Sequence, residues 1–149
     1  MFRATAIESS ITGCSCPSDT YGALLDDLRK LERSHVHGSG ADMVRLALQL
    51  GAVLARVMEH FRVEEGSGFL EALREQQPRL GHAVKELLAE HRRLIDSLIL
   101  LIESTKAVSS LDASVRKDIG EWITHIRQHE SHEEDLIQEA YNRDLGAVD

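Results

Sequence analysis

The sequence predicts an all-α protein, an up-down-up-down antiparallel four-helix bundle. Three observations predict it. Aromatic residues make up only 4% of the chain and there are two prolines, against a large share of Leu, Ala, Glu and Arg, a composition of helices rather than of a β-sandwich. Apolar residues recur at steps of three and four in successive stretches, the spacing of one helical face. The connections between these stretches are short, which favours antiparallel neighbours. With 149 residues, 42% hydrophobic and 28% charged, the chain suits one globular domain with a real core, and a disordered chain or a disulfide scaffold is excluded. Residues 1–17 read as a flexible leader and residues 18–149 as the bundle.

The first helix is expected over residues 19–37. It follows Pro17, has Ser18 as a cap, and carries Tyr21, Leu24, Leu28, Leu31 and His35 on one face. Gly38-Ser39-Gly40 breaks it. The second stripe is Met43, Leu46, Leu50, Val53, Val57, His60 and Glu64, ended by Gly66-Ser67-Gly68. A short segment from Phe69 to Gln77 leads to Pro78, after which Leu80, Val84, Leu87, His91, Leu94, Leu98 and Leu101 form the third helix. Polar residues from Ser104 to Ser110 stop it. The fourth starts at Asp112 as a cap, carries Val115, Ile119, Trp122, Ile126, His129, Glu133, Leu136 and Ala140, and ends near Gly146.

A formal charge of -8 disfavours nucleic acid and anionic membranes, because phosphates attract Lys and Arg. No apolar run approaches the roughly 18 residues that span a bilayer; the longest is Leu98 to Ile102. Ile11-Thr12-Gly13-Cys14 is similar to the end of a bacterial lipoprotein signal, but Glu8 and two serines interrupt the apolar region that such a signal needs. Cys14 and Cys16, the only cysteines, stand too close for an unstrained mutual disulfide. Two thiols in a polar leader suit a reducing cytoplasm, so a soluble cytoplasmic protein is expected.

The eight histidines carry the chemical signal. Each predicted stripe is interrupted by one: His35, His60, His91 and His129. A single core histidine is ordinary, but four at one level would leave many donors and acceptors to satisfy, whereas a metal takes the neutral nitrogens directly. His60-Phe-Arg-Val-Glu64-Glu65 and His129-Glu-Ser-His-Glu133-Glu134 share the form HxxxEE. Four residues are about one turn, so Glu64 stands beside His60 and Glu133 beside His129 on the core-facing side, while Glu65 and Glu134 turn away by about 100°, to solvent or to a place supporting the ligands. The spacing Leu28, Leu31, His35 repeats as Val84, Leu87, His91. The chain therefore reads as two copies of a helical hairpin around a pseudo-twofold site for two metals, with each carboxylate able to bridge both.

On these residues, over roughly positions 20 to 142, the sequence resembles the hemerythrin-like HHE cation-binding domains. The resemblance implies a four-helix bundle holding two non-haem iron ions with an oxo or hydroxo bridge and two bridging carboxylates, acting on dioxygen or nitric oxide. His35, His60, Glu64, His91, His129 and Glu133 would be the metal ligands. The chain departs from the oxygen carriers of the family, which have a second histidine one turn from the first on the third helix. Leu87 and Ile95 stand at those places. Four imidazoles, two bridging carboxylates and a solvent-derived bridge supply about ten bonds, and two octahedral ions take roughly twelve. His125 is the first candidate for the open position, with His37 and His132 behind it; His82 reads as surface.

The leading expectation is thus a di-iron protein that binds or reacts with dioxygen or nitric oxide, in sensing, stress protection or iron handling. The alternative is a regulatory module whose iron occupancy controls folding and partner binding. A two-metal hydrolase is weaker, because no separate acid or base is evidently placed to activate water, Glu90 and Glu130 being the nearest carboxylates. Oxidoreductase activity is left open, and the expected partner is a small molecule.

Overall fold

A computed structural model of the chain describes residues 17–37, 43–108 and 112–146, with the side chains at 17–19, 34–37, 141 and 143–146 outside that description. The described residues form five α-helices, α1 Pro17–His37, α2 Met43–Gly66, α3 Phe69–Gln76, α4 Gly81–Ala107 and α5 Ala113–Gly146, with a 3-10 turn at Pro78–Leu80. None of them is in a strand. No described helix is long and apolar enough to cross a membrane. Residues 1–16 of the expected leader, with Cys14 and Cys16, lie outside the described residues, and Pro17 already opens α1.

The stripes read from the sequence are the buried faces. Leu24, Leu28 and Leu31 of α1, Leu46, Leu50, Val53 and Val57 of α2, Leu94, Leu98 and Leu101 of α4, and Ile119, Trp122 and Ile126 of α5 pack into one apolar cluster. α1 packs on α2, α2 on α4, α4 on α5, and α5 back on α1. The buried indole of Trp122 donates to the Leu94 carbonyl at 3.0 Å, which satisfies its only polar atom. Asp112 caps α5 as expected, its Oδ1 accepting from the Val115 amide at 2.8 Å.

The segment from Phe69 to Gln76 was not expected to be a helix of its own. Its Leu70 and Leu73 face Leu80, Val84 and Leu87 and the far end of α5 at Leu136 and Ala140, making a second apolar cluster. Eight residues form a helix here because this packing stabilises it. Gly68 precedes it at φ 72°, a left-handed conformation that glycine adopts without strain. Gln77 ties the corner to α5 by donating to the Ala140 carbonyl at 3.0 Å.

The two apolar clusters leave a layer between them. Along α4 the buried order is Leu87, His91, Leu94; along α5 it is Ile126, His129, Glu133, Leu136. The first and last of each series belong to different clusters. The polar residues are thus walled by hydrocarbon above and below.

Candidate metal centre

His60, Glu64, His91, His129 and Glu133 are buried together in this layer, none more than 7% exposed. Two groups of donors result. Glu64, His91, His129 and Glu133 bring one ligand atom each to within 4.8 Å of one another, and His60, Glu64 and Glu130 do the same. Glu64 belongs to both. Its Oε1 lies 2.6 Å from His60 Nε2 and its Oε2 lies 3.3 Å from His91 Nε2, so the two oxygens of one carboxylate face the two groups.

Four buried atoms in the first group, Glu64 Oε2, His91 Nε2, His129 Nε2 and Glu133 Oε2, have no hydrogen-bond partner. An unsatisfied buried polar atom costs about 1–3 kcal/mol, and here four converge on one spot. A cation would satisfy them all at once. The outer contacts point the same way. His91 Nδ1 donates to Glu65 Oε1 at 3.0 Å, and His129 Nδ1 donates to Glu90 Oε2 at 2.6 Å. An ionised carboxylate only accepts, so each Nδ1 carries the proton and each Nε2 presents a lone pair to the layer. His60 Nδ1 meets Thr20 Oγ1 at 2.9 Å, again leaving Nε2 to face the carboxylates. Outer hydrogen bonds of this kind fix the ring and tautomer of a metal-binding histidine. The rings are also packed: Phe61 stacks on His91 with centroids 3.8 Å apart.

Without a cation, protons take its place. Burial opposes a charge on His60, but hydrogen bonds from its Nε2 to Glu130 and Glu64 outweigh it and push the pKa up to about 10. Burial would raise Glu64, yet the hydrogen bond with His60 and the close His91 imidazole hold it well below the usual carboxylate range. Burial raises Glu133, and the negative charges of Glu64 and Glu130 add to the effect against the pull of His129. His129 is raised despite burial because Glu133 and Glu90 favour its charged form. Such a layer could hold a metal ion in place of these protons.

The structure departs from the sequence reading at several residues. Among the described side chains of α1, Thr20 and Tyr21 touch the layer, both at His60. Thr20 meets His60 while Asp27 meets Arg56 at 3.1 Å, so moving forward along α1 moves back along α2. Position 35 is 15 residues beyond Thr20, which is about 22 Å along the axis; the His35 and His37 side chains lie outside the described residues. Glu130, considered above only as a possible acid or base, is a donor beside His60, 2.9 Å away. Glu133 belongs to one group and not to both, so the two carboxylates of the HxxxEE repeat are not equivalent. Glu65 takes the supporting one of its two expected places, at 3.0 Å from His91 Nδ1. His125 and His132 are exposed and line an open cavity of about 320 Å3 beside Glu90 and His129; they are in neither donor group. His82 is exposed, as read.

The signal for Glu130 is its place next to His129. α5 packs against both α4 and α1, so its buried sector is wide enough to hold residues about 100° apart. Thr20 carries no comparable signal.

Fold and site together define an all-helical protein whose buried His/Glu cluster could hold metal. No family model matches the chain, and neither a curated protein nor a solved structure does. The reading of the site therefore stands on its own chemistry.

Proposed function

We propose that the chain is a dinuclear non-haem iron protein of the hemerythrin-like kind, an up-down-up-down four-helix bundle that binds or reacts with dioxygen or nitric oxide in sensing, stress protection or iron handling. The observation that carries this reading is the pair of buried donor groups joined through Glu64, with four donor atoms left without hydrogen bonds. The bundle direction is supported by α4 and α5, where Trp122 meets Leu94 and His129 meets Glu90, so moving forward along α5 moves back along α4. Nitrogen and carboxylate donors without sulfur suit iron or manganese.

Iron here would supply one-electron chemistry and a coordination place for a small ligand. The chain does the rest. Glu65, Glu90 and Thr20 hold the three imidazoles in orientation, and the two apolar clusters keep bulk water from both sides of the layer. The donor set is three imidazoles and three carboxylates, one carboxylate richer than the sequence suggested. The added negative charge favours the more highly charged state of the metal, which supports reaction with dioxygen over its reversible carriage.

Anaerobic metal analysis with an optical spectrum recorded before and after air tests the proposal. Two irons per chain and a lasting spectral change in air are expected. One ion or fewer at full loading would reject the dinuclear reading, and a loaded protein whose spectrum ignores both dioxygen and nitric oxide would reject the ligand chemistry.

A further inference from the structure

We infer that exogenous species reach the cluster through the cavity beside Tyr21, and that its charge admits cations and neutral small molecules while turning anions away. The inference rests on the metal reading above. The cavity has a volume of about 430 Å3 and is lined by Tyr21, His60, Glu64, Glu130, Glu133 and Glu134, among others. Two other cavities adjoin the layer, one beside His91 and Glu65 and one beside His129 and Glu90. Each meets the outer side of a histidine, and neither is lined by Glu64, Glu130 or Glu133. Only the Tyr21 cavity of these three opens onto the carboxylate donors.

Two features make it a door rather than a surface dent. The group at its floor, His60, Glu64 and Glu130, offers three protein donors where the other group offers four, so an ion there keeps more places for an outside ligand. Glu64 and Glu133, whose side chains are 5% and 9% exposed, both line it, so it adjoins carboxylates of both donor groups.

The lining sets the selectivity. Four carboxylates face the cavity, and its one guanidinium, Arg127, is already engaged by Glu32 at 2.6 Å. A cleft lined by one sign of charge concentrates ions of the opposite sign and depletes its own. Metal cations are drawn in, anions such as azide or nitrite are repelled, and dioxygen, nitric oxide or hydrogen peroxide pass without a charge penalty. Tyr21, its ring stacked on His60 with centroids 5.6 Å apart, stands at this wall. Burial and the nearby Glu130 and Glu134 raise its pKa, so it enters as a neutral phenol able to donate to a bound ligand.

Glu134 and Ser131 are exposed on α5 and neither is a donor, so both can be changed without touching the cluster. Metal content of the wild-type chain is measured first. On the loaded protein, Glu134→Lys should speed azide association by about tenfold, from charge reversal at the door, and leave nitric oxide association within about twofold by the same reasoning. On the metal-free protein at low salt, the same change should slow cobalt(II) uptake. Ser131→Trp, which narrows the passage, should slow all three processes, and Glu134→Gln should give a smaller azide effect of the same sign. If the wild type binds no metal, the metal reading fails. If it binds metal and Glu134→Lys leaves the azide-to-nitric-oxide ratio unchanged, or Ser131→Trp slows nothing, the door is elsewhere and this inference alone is overturned.

Discussion

Glu64 is the residue on which the two halves of the centre depend, because its two oxygens face different donor groups. Replacing it with Ala should abolish binding at both positions. Glu133→Ala and Glu130→Ala should each remove about one ion and spare the other, since each belongs to one group. Metal analysis of the three variants after identical loading separates these outcomes; equal loss from all three would mean that every carboxylate bridges. Around the donors, Glu90 holds His129 by a 2.6 Å hydrogen bond from a position only 30% exposed. Loss of such an outer partner typically costs 10–100-fold in metal affinity, so Glu90→Ala should weaken binding by about that factor in competition with a chelator. Glu65, 48% exposed, should show a smaller effect of the same sign, and His125→Ala should show none.

At the scale of the helices, most of what the sequence said about periodicity is what the fold uses. The stripes of α2 and α5 from Leu46 and Val115 onward are buried residue by residue, because burial of an apolar face is the main force that positions a helix. α3 was not legible: eight residues carry too few turns for periodicity to speak, and its stability comes from packing Leu70 and Leu73 against α4 and α5. Leu73→Ala should accordingly destabilise the protein by about 2–4 kcal/mol, read from urea unfolding, with metal stoichiometry retained. For His35, whose side chain lies outside the described residues, the sequence leaves one quantity open. Its spacing from Leu31 and Leu28 matches that of His91 on α4, but spacing says which face a residue occupies and not its height against a neighbour. The Thr20–His60 and Asp27–Arg56 contacts set that height. His35→Ala should leave metal content unchanged.

For the molecule as a whole, a metal bound in this layer would compete with protons for the same atoms. In the metal-free fold His60 has its pKa raised from 6.5 to about 10, so the stability it contributes is fully present below pH 6.5 and is lost as the pH rises towards 10. Glu64, held below its ordinary 4.5, contributes stability above that value that is lost as acid protonates it. A metal must displace the proton from His60, so its affinity rises over the window in which the metal-free fold weakens. Chelator-treated protein should melt at falling temperature from pH 6.5 to 10, and the gap to the loaded protein should widen, as followed by calorimetry. A gap that stays constant would remove the coupling between His60 and the metal. The sequence by itself determined the helical class, the buried faces, and the burial of His60, Glu64, His91, His129 and Glu133, because burial and one-turn spacing are local properties of a helix. Only the tertiary structure decided that Glu130 and Thr20 join the layer and that Glu64 alone serves both groups. Those facts depend on the relative height and rotation of different helices, which long-range packing sets and no local pattern encodes.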